Sequence, residues 1–160
     1  AWSMRSGGTS SSTLKGLDFV QLAQQYGRQS TAHDLRGIAC TLSDQPCLYG
    51  QHGKDAILRF MHTFRVEHPN VCWRFLSFEP LAQAPEQVNK DDEESRTVVM
   101  RFERYWTDAA GTTSYKVSAS ERLQFTPEGR LHRVGYCQRV SEPVAVAGYP
   151  QGVEPVPFQQ

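Results

Sequence analysis

The last third of the chain restricts the fold most. Residues 96–106, 114–125 and 131–140 read as three strands in series, rich in β-branched and aromatic side chains. The separators are Thr107-Asp108-Ala109-Ala110-Gly111 and Thr126-Pro127-Glu128-Gly129-Arg130. Both carry turn chemistry, with glycine where a positive φ is needed and Pro127 presetting its own φ. A meander of long strands behind a helical N-terminal half leaves few α+β arrangements, and places any pocket between the helices and the sheet.

The first half supplies those helices. Residues 17–30 carry Leu17, Val20 and Ala23, with Phe19, Leu22 and Tyr26 alongside, at helical spacing. Ser12 or Thr13 is the expected cap. Asp34 is placed to cap a short second helix over 35–42, and Gly53 leads into a third over 54–66, with Ile57, Phe60, Met61 and Phe64 on one stripe. Between them, 43–51 reads as a short extended piece turning at Asp44-Gln45-Pro46. Residues 71–81 read as a strand with Trp73 and Phe75 on one face and Cys72, Arg74 and Leu76 on the other. Residues 82–95 form a polar connector whose run Lys90-Asp91-Asp92-Glu93-Glu94 suits a solvated loop. The expected organisation is a Ser/Gly-rich flexible segment over 1–13, one domain over 14–141 and a Pro-rich extension over 142–160. Pro143, Pro150, Pro155 and Pro157 bar that extension from helix or central strand.

Seventeen basic and seventeen acidic side chains give a formal charge of zero, which argues against general binding to nucleic acid or an anionic membrane. No apolar run approaches the roughly 20 residues of a membrane span. Cys40, Cys47, Cys72 and Cys137 lack metal-ligand or disulfide spacing and read as free thiols of an intracellular, reducing compartment. The five histidines show no metal signature either, so no metal or cofactor is expected. The Ser-rich, acid-free stretch from Ala1 to Thr13 suits the remnant of a chloroplast or mitochondrial transit region, or simply a flexible terminus.

Four fragments, in order, resemble the NTF2-like superfamily, which includes ketosteroid isomerases and SnoaL-type polyketide cyclases. They are Gln25-Tyr26 followed by His33-Asp34-Leu35; Leu42-Ser43-Asp44; Gly50-Gln51-His52-Gly53-Lys54-Asp55-Ala56-Ile57; and Leu123-Gln124-Phe125-Thr126-Pro127-Glu128-Gly129-Arg130-Leu131. The resemblance spans about 17–140 and implies a cone: three N-terminal helices packed on a curved antiparallel sheet. It puts Tyr26 where the isomerases hold their catalytic tyrosine. It puts their base near Tyr49-Gly50, where there is no carboxylate, and their second acid at Ser118.

With those two roles empty, the favoured expectation is a non-catalytic interaction module. It would be an accessory subunit of a larger, perhaps organellar, assembly or a homodimer joined through its sheet. The alternative is a SnoaL-like isomerase, cyclase or dehydratase, or a carrier, holding an apolar ring-bearing ligand in a dry cavity of a few hundred Å³. Tyr26, His33 and Asp34 are its candidate catalytic residues. Tyr26, Trp73, Phe75, Phe102, Ser118, Val134, Tyr136 and Gln138 are the expected pocket wall. The inward face of 114–125 stays open between a polar set (Lys116, Ser118, Ser120, Arg122) and an apolar one (Val117, Ala119, Leu123, Phe125).

Overall fold

The structure, a computed structural model, describes residues 17–81 and 92–156. Helix α1 (Phe19–Ala32) is followed by α2 (Leu35–Thr41), the hairpin strands β1 (Leu42–Leu48) and β2 (Gln51–His52), and α3 (Lys54–Glu67). Strand β3 (Cys72–Pro80) comes next, then a 3-10 turn (Glu93–Arg96), β4 (Thr97–Thr107), β5 (Ser114–Phe125), β6 (Leu131–Tyr136) and the short β7 (Val144–Val146). The strands form one curved sheet in the order β2-β1-β6-β5-β4-β3, with β7 on β5. It is a mixed sheet: β1 runs parallel to β6, and the other pairs are antiparallel. No described helix is long and apolar enough to cross a membrane.

Three helices pack on the concave face as expected, with their ends set by local chemistry. Asp18, not Ser12 or Thr13, caps α1 by accepting from the Gln21 N–H at 3.1 Å; Ser12 and Thr13 lie outside the described residues. His33 ends that helix in the left-handed region at φ 55°, and Asp34 caps α2 by accepting from the Gly37 N–H at 3.0 Å. The turn expected at Asp44-Gln45-Pro46 lies instead at Tyr49-Gly50, both at positive φ as a two-residue hairpin requires. The flexible segment expected over 1–13 lies outside the described residues, as do Lys90 and Asp91 of the acidic run, whose last three members cap and begin the 3-10 turn.

Alternation along β5 resolves the open face. Val117, Leu123 and Phe125 are buried against the helices, while Arg122 and Ser118 are exposed and Lys116 pairs with Glu103 at 3.4 Å on the outer side. A register shift between Phe75 and Ser77 interrupts β3, so Phe78 joins Trp73 and Phe75 on the inner face and Leu76 is left exposed. The chain after β6 continues along β5: Ser141 exchanges hydrogen bonds with the Ser118 backbone, and β7 then pairs with Ser114–Lys116 as an edge strand. Beyond it Tyr149 donates to the Asn70 carbonyl at 2.9 Å, with its ring against Tyr105.

The β5–β6 turn is anchored on α1. Gly129 has φ 88°, and a Cβ there would meet Leu17 Cδ1 at 3.1 Å and Leu22 Cδ1 at 3.3 Å. A left-handed alanine costs roughly 1–2 kcal/mol even in open space. Gly129→Ala is therefore expected to lower stability by at least about 1 kcal/mol, read as a lower urea midpoint with an unchanged slope.

Candidate active site: a buried carboxyl and two tyrosines

One inward row of the sheet sets the centre of the site. Phe78, Met100, Glu121 and Tyr136 pair in succession across β3, β4, β5 and β6. Glu121 thus stands in mid-sheet on the face that otherwise carries the apolar core, and is 4% exposed. Carboxylates are rarely buried this far without a partner. Its partner comes from the β1–β2 turn, where Tyr49 donates to Glu121 Oε1 at 2.9 Å. The Tyr49 and Tyr26 hydroxyls lie 2.6 Å apart. With the Tyr49 proton committed to Glu121, Tyr26 is the donor in that contact, so the chain runs Tyr26 to Tyr49 to Glu121. Tyr49 holds φ 55°, a left-handed conformation that costs a non-glycine residue of order 1 kcal/mol or more. Tyr26 is fixed from the other side by its place on the buried stripe of α1.

Burial dominates the electrostatics. It pushes the Glu121 carboxyl up from 4.5 to about 7, against the opposing pull of the Tyr49 hydrogen bond and the Arg104 charge. The same desolvation, with the Glu121 charge adding to it, raises both tyrosines well above 10. Both hydroxyls therefore stay protonated at neutral pH, while Glu121 exists in both forms.

These three residues line one end of a cavity of about 140 Å³. Its apolar wall includes Ile38, Met61, Phe64, Trp73, Phe75 and Met100, and Phe60 and Tyr136 at its edge are partly exposed. An apolar cavity of about 150 Å³ takes one benzene ring. The space is thus smaller than the few hundred Å³ expected, and accommodates a single ring. His33, Arg65 and Arg104 add polar groups to the lining. His33 Nε2 lies 3.2 Å from His62 Nδ1, and burial, then the Arg65 and His62 charges, lower its pKa. Arg65 is buried and donates to the Ser30, Thr31 and Val156 carbonyls, tying α1 and the C-terminal segment to α3.

Of the residues singled out in the sequence, Tyr26, Trp73, Phe75, Tyr136 and His33 line the cavity. The others are elsewhere. Asp34 is occupied as the α2 cap, and Phe102 is a core residue packed edge-on to Phe75. Val134 is buried core between β1 and β5. Ser118 is exposed on the outer face because β5 presents its odd-numbered residues inward, and Gln138 is exposed beyond the end of β6. Glu121 and Tyr49 were missed, yet Glu121 shares the parity of Val117, Leu123 and Phe125. A lone acid on an apolar strand face was the available signal. The four cysteines are free, and no group of three or more His, Cys, Asp or Glu able to hold a metal occurs among the described residues.

Linkage gives a pH test of this burial. The folded carboxyl ionises near 7 and the unfolded one near 4.5, so the folded state holds the extra proton between those values. Its stabilising effect is complete below about pH 4.5 and is lost as pH rises through 7, by about 3 kcal/mol in all. Glu121→Gln should remove that part of the slope. Urea unfolding at pH 5 and pH 8 checks this, and parallel pH profiles for the two proteins would count against a buried, proton-holding Glu121.

No protein-family model matches the sequence, and no curated protein does. Solved structures do match in fold. An NTF2-like protein of unknown function from Exiguobacterium sp. 255-15 superposes with a TM-score of 0.52 at 12% identity, over 75% of this chain and 94% of its own. RV0760c of Mycobacterium tuberculosis, in complex with estradiol-17β-hemisuccinate, gives 0.57 at 13% identity over 74% and 91%. SalBIII, an epoxide hydrolase/cyclase-like enzyme of pyran ring formation in the polyether salinomycin, gives 0.55 at 14% over 72% and 88%. At these identities the likeness is one of fold, and by that measure the chain has the α+β cone of the NTF2-like proteins.

Proposed function

We propose that this protein is an enzyme that moves protons on an apolar, ring-bearing small molecule, with Glu121 as the general acid–base group. One observation carries the reading: a carboxyl that ionises near neutrality opens onto a ring-sized apolar cavity while its other contacts are fixed by Tyr49 and Tyr26. A general acid–base group works best when its pKa lies near the working pH. Ionised, Glu121 takes a proton from an activated carbon or a hydroxyl. Protonated, it returns one to a carbon or a ring oxygen. Tyr49 holds one carboxyl oxygen, and the other accepts no hydrogen bond from a described residue. The two tyrosines orient the acid, because their own protons are engaged and their pKa values lie far above the working range.

One support of the non-catalytic reading was the lack of a carboxylate at the matched positions. Glu121 supplies one from a position that the family resemblance did not indicate, so that premise falls. RV0760c with its steroid ester and the ring-forming SalBIII support a small-molecule pocket on this scaffold.

The test is turnover on a panel of single-ring ketones, followed in D2O by loss of the proton signal, and of hydroxy-epoxides, followed by cyclic ether formation. The expected result is activity with an inflection near pH 7. Glu121→Gln should cut kcat/KM by about 100-fold or more. Tyr49→Phe should keep part of the activity and move the inflection above 7, because it removes a hydrogen bond that lowers the Glu121 pKa. Ligands that raise the melting temperature without turnover would make the protein a carrier instead. Isolation only within a multi-subunit complex, with no ring-sized ligand bound, would restore the accessory-subunit reading.

A further inference from the structure

Arg104 contributes to the proton-transfer site only through the pull of its charge on the Glu121 carboxyl. It stands on the inward face of β4, paired with Val117 on one side and Trp73 on the other, and its side chain lines the cavity. Its guanidinium carbon lies 5.5 Å from the centroid of the Phe64 ring. Among the described residues that guanidinium makes no hydrogen bond or ion pair. Arg65, the other cavity arginine, differs, since its Nη1 and Nη2 donate to three backbone carbonyls. A guanidinium has five N–H donors in a rigid fork that matches a carboxylate, and stacking on a ring leaves that fork open at its edge. The charges in the cavity point the same way: two arginines face a single carboxyl, that of Glu121.

From these observations we infer that the ligand carries a carboxylate, and that Arg104 binds it while the ring occupies the apolar space beside Glu121. This rests on the small-molecule reading above and narrows its substrate class to ring-bearing carboxylic acids. Position 104 pairs with Val117, four residues along β5 from Glu121. That separates the two backbone positions by about 13 Å along the strand, which two inward-reaching side chains shorten. A ring with a carboxylate two or three atoms away fits between them. Arg104 is thus a specificity-determining residue, and Glu121 keeps the chemistry.

The cations in the polar set that the sequence offered for this wall were Lys116 and Arg122. Both lie on the outer face, and the inward cation comes from the neighbouring strand.

The experiment compares paired probes differing only in charge: phenylacetate, 3-phenylpropanoate and cyclohexylpropanoate, each against its primary amide, by calorimetric titration. The full chain is used, as wild type, Arg104→Gln and Arg104→Lys. In the wild type at least one acid should bind about tenfold or more tighter than its amide, the worth of one charge-assisted hydrogen-bonded pair. Arg104→Gln should abolish that preference and change amide affinity by less than about threefold. Arg104→Lys should restore only part of it, because an ammonium lacks the fork. A circular dichroism spectrum and an amide affinity that match wild type show that each variant is folded. If amides bind as tightly as acids, or if the preference survives Arg104→Gln, the Arg104 assignment is overturned while the apolar cavity stands. If neither class binds, the assignment and the small-molecule reading fall together.

Discussion

The hydrogen bond from Tyr49 to Glu121 is the contact on which the site depends. It makes a buried carboxyl tolerable in the middle of an apolar sheet face, and its donor is a turn residue in the left-handed conformation that the hairpin requires. Without it, Glu121 would carry the full desolvation cost of its charge, and an ordinary core residue would serve the fold better. Tyr26 extends the contact into α1, so the helix, the β1–β2 turn and the central strand meet at one short chain of oxygens. The helix is thereby tied to the sheet through polar contacts as well as through packing.

The sheet supplies the geometry for this meeting. Pairing of β4 with β5 and of β5 with β6 brings Met100, Glu121 and Tyr136 into one row. The interruption in β3 turns Phe78 inward to close that row, while Trp73 and Phe75 line the cavity beyond it. Helix α3 covers the opening incompletely: Ile57 is buried, but Met61 and Phe64 face the cavity and Phe60 is 40% exposed. The stripe that reads as core packing in the sequence is here partly a cavity wall. Arg65 closes the far side, joining α3 to the end of α1 and to Val156 of the C-terminal segment. That segment, despite its prolines, is held by the pairing of β7 with β5 and by Tyr149 on the Asn70 carbonyl and the Tyr105 ring of β4.

Much of the architecture was open to reading from residue order. Periodicity located all three long helices or helical turns, the Asp34 cap and the long strands within a few residues, because each is specified by neighbours in sequence. The errors share a cause. Ser118 was placed in the pocket from a family spacing, but the inward parity of β5 is set by which set of side chains the helices bury. Phe102 and Val134 were counted as wall when packing makes them core. Gln138 was assigned to a strand that ends at Tyr136, where the chain leaves the ladder to run beside Ser118 and Ser120.

Local patterns and turn chemistry carry the α+β arrangement, the Asp34 cap and the turns after β4 and β5, and the family resemblance puts a tyrosine at the pocket. Only the tertiary structure decided which charged groups face inward and what they touch. Glu121 reads only as a lone acid on an apolar strand face until a turn 72 residues earlier delivers Tyr49 to it. Arg104 reads as one of many cations until Phe64 and the cavity surround it. Burial and long-range pairing tune these groups. Both arise from contacts between segments distant in the chain, which no local pattern records.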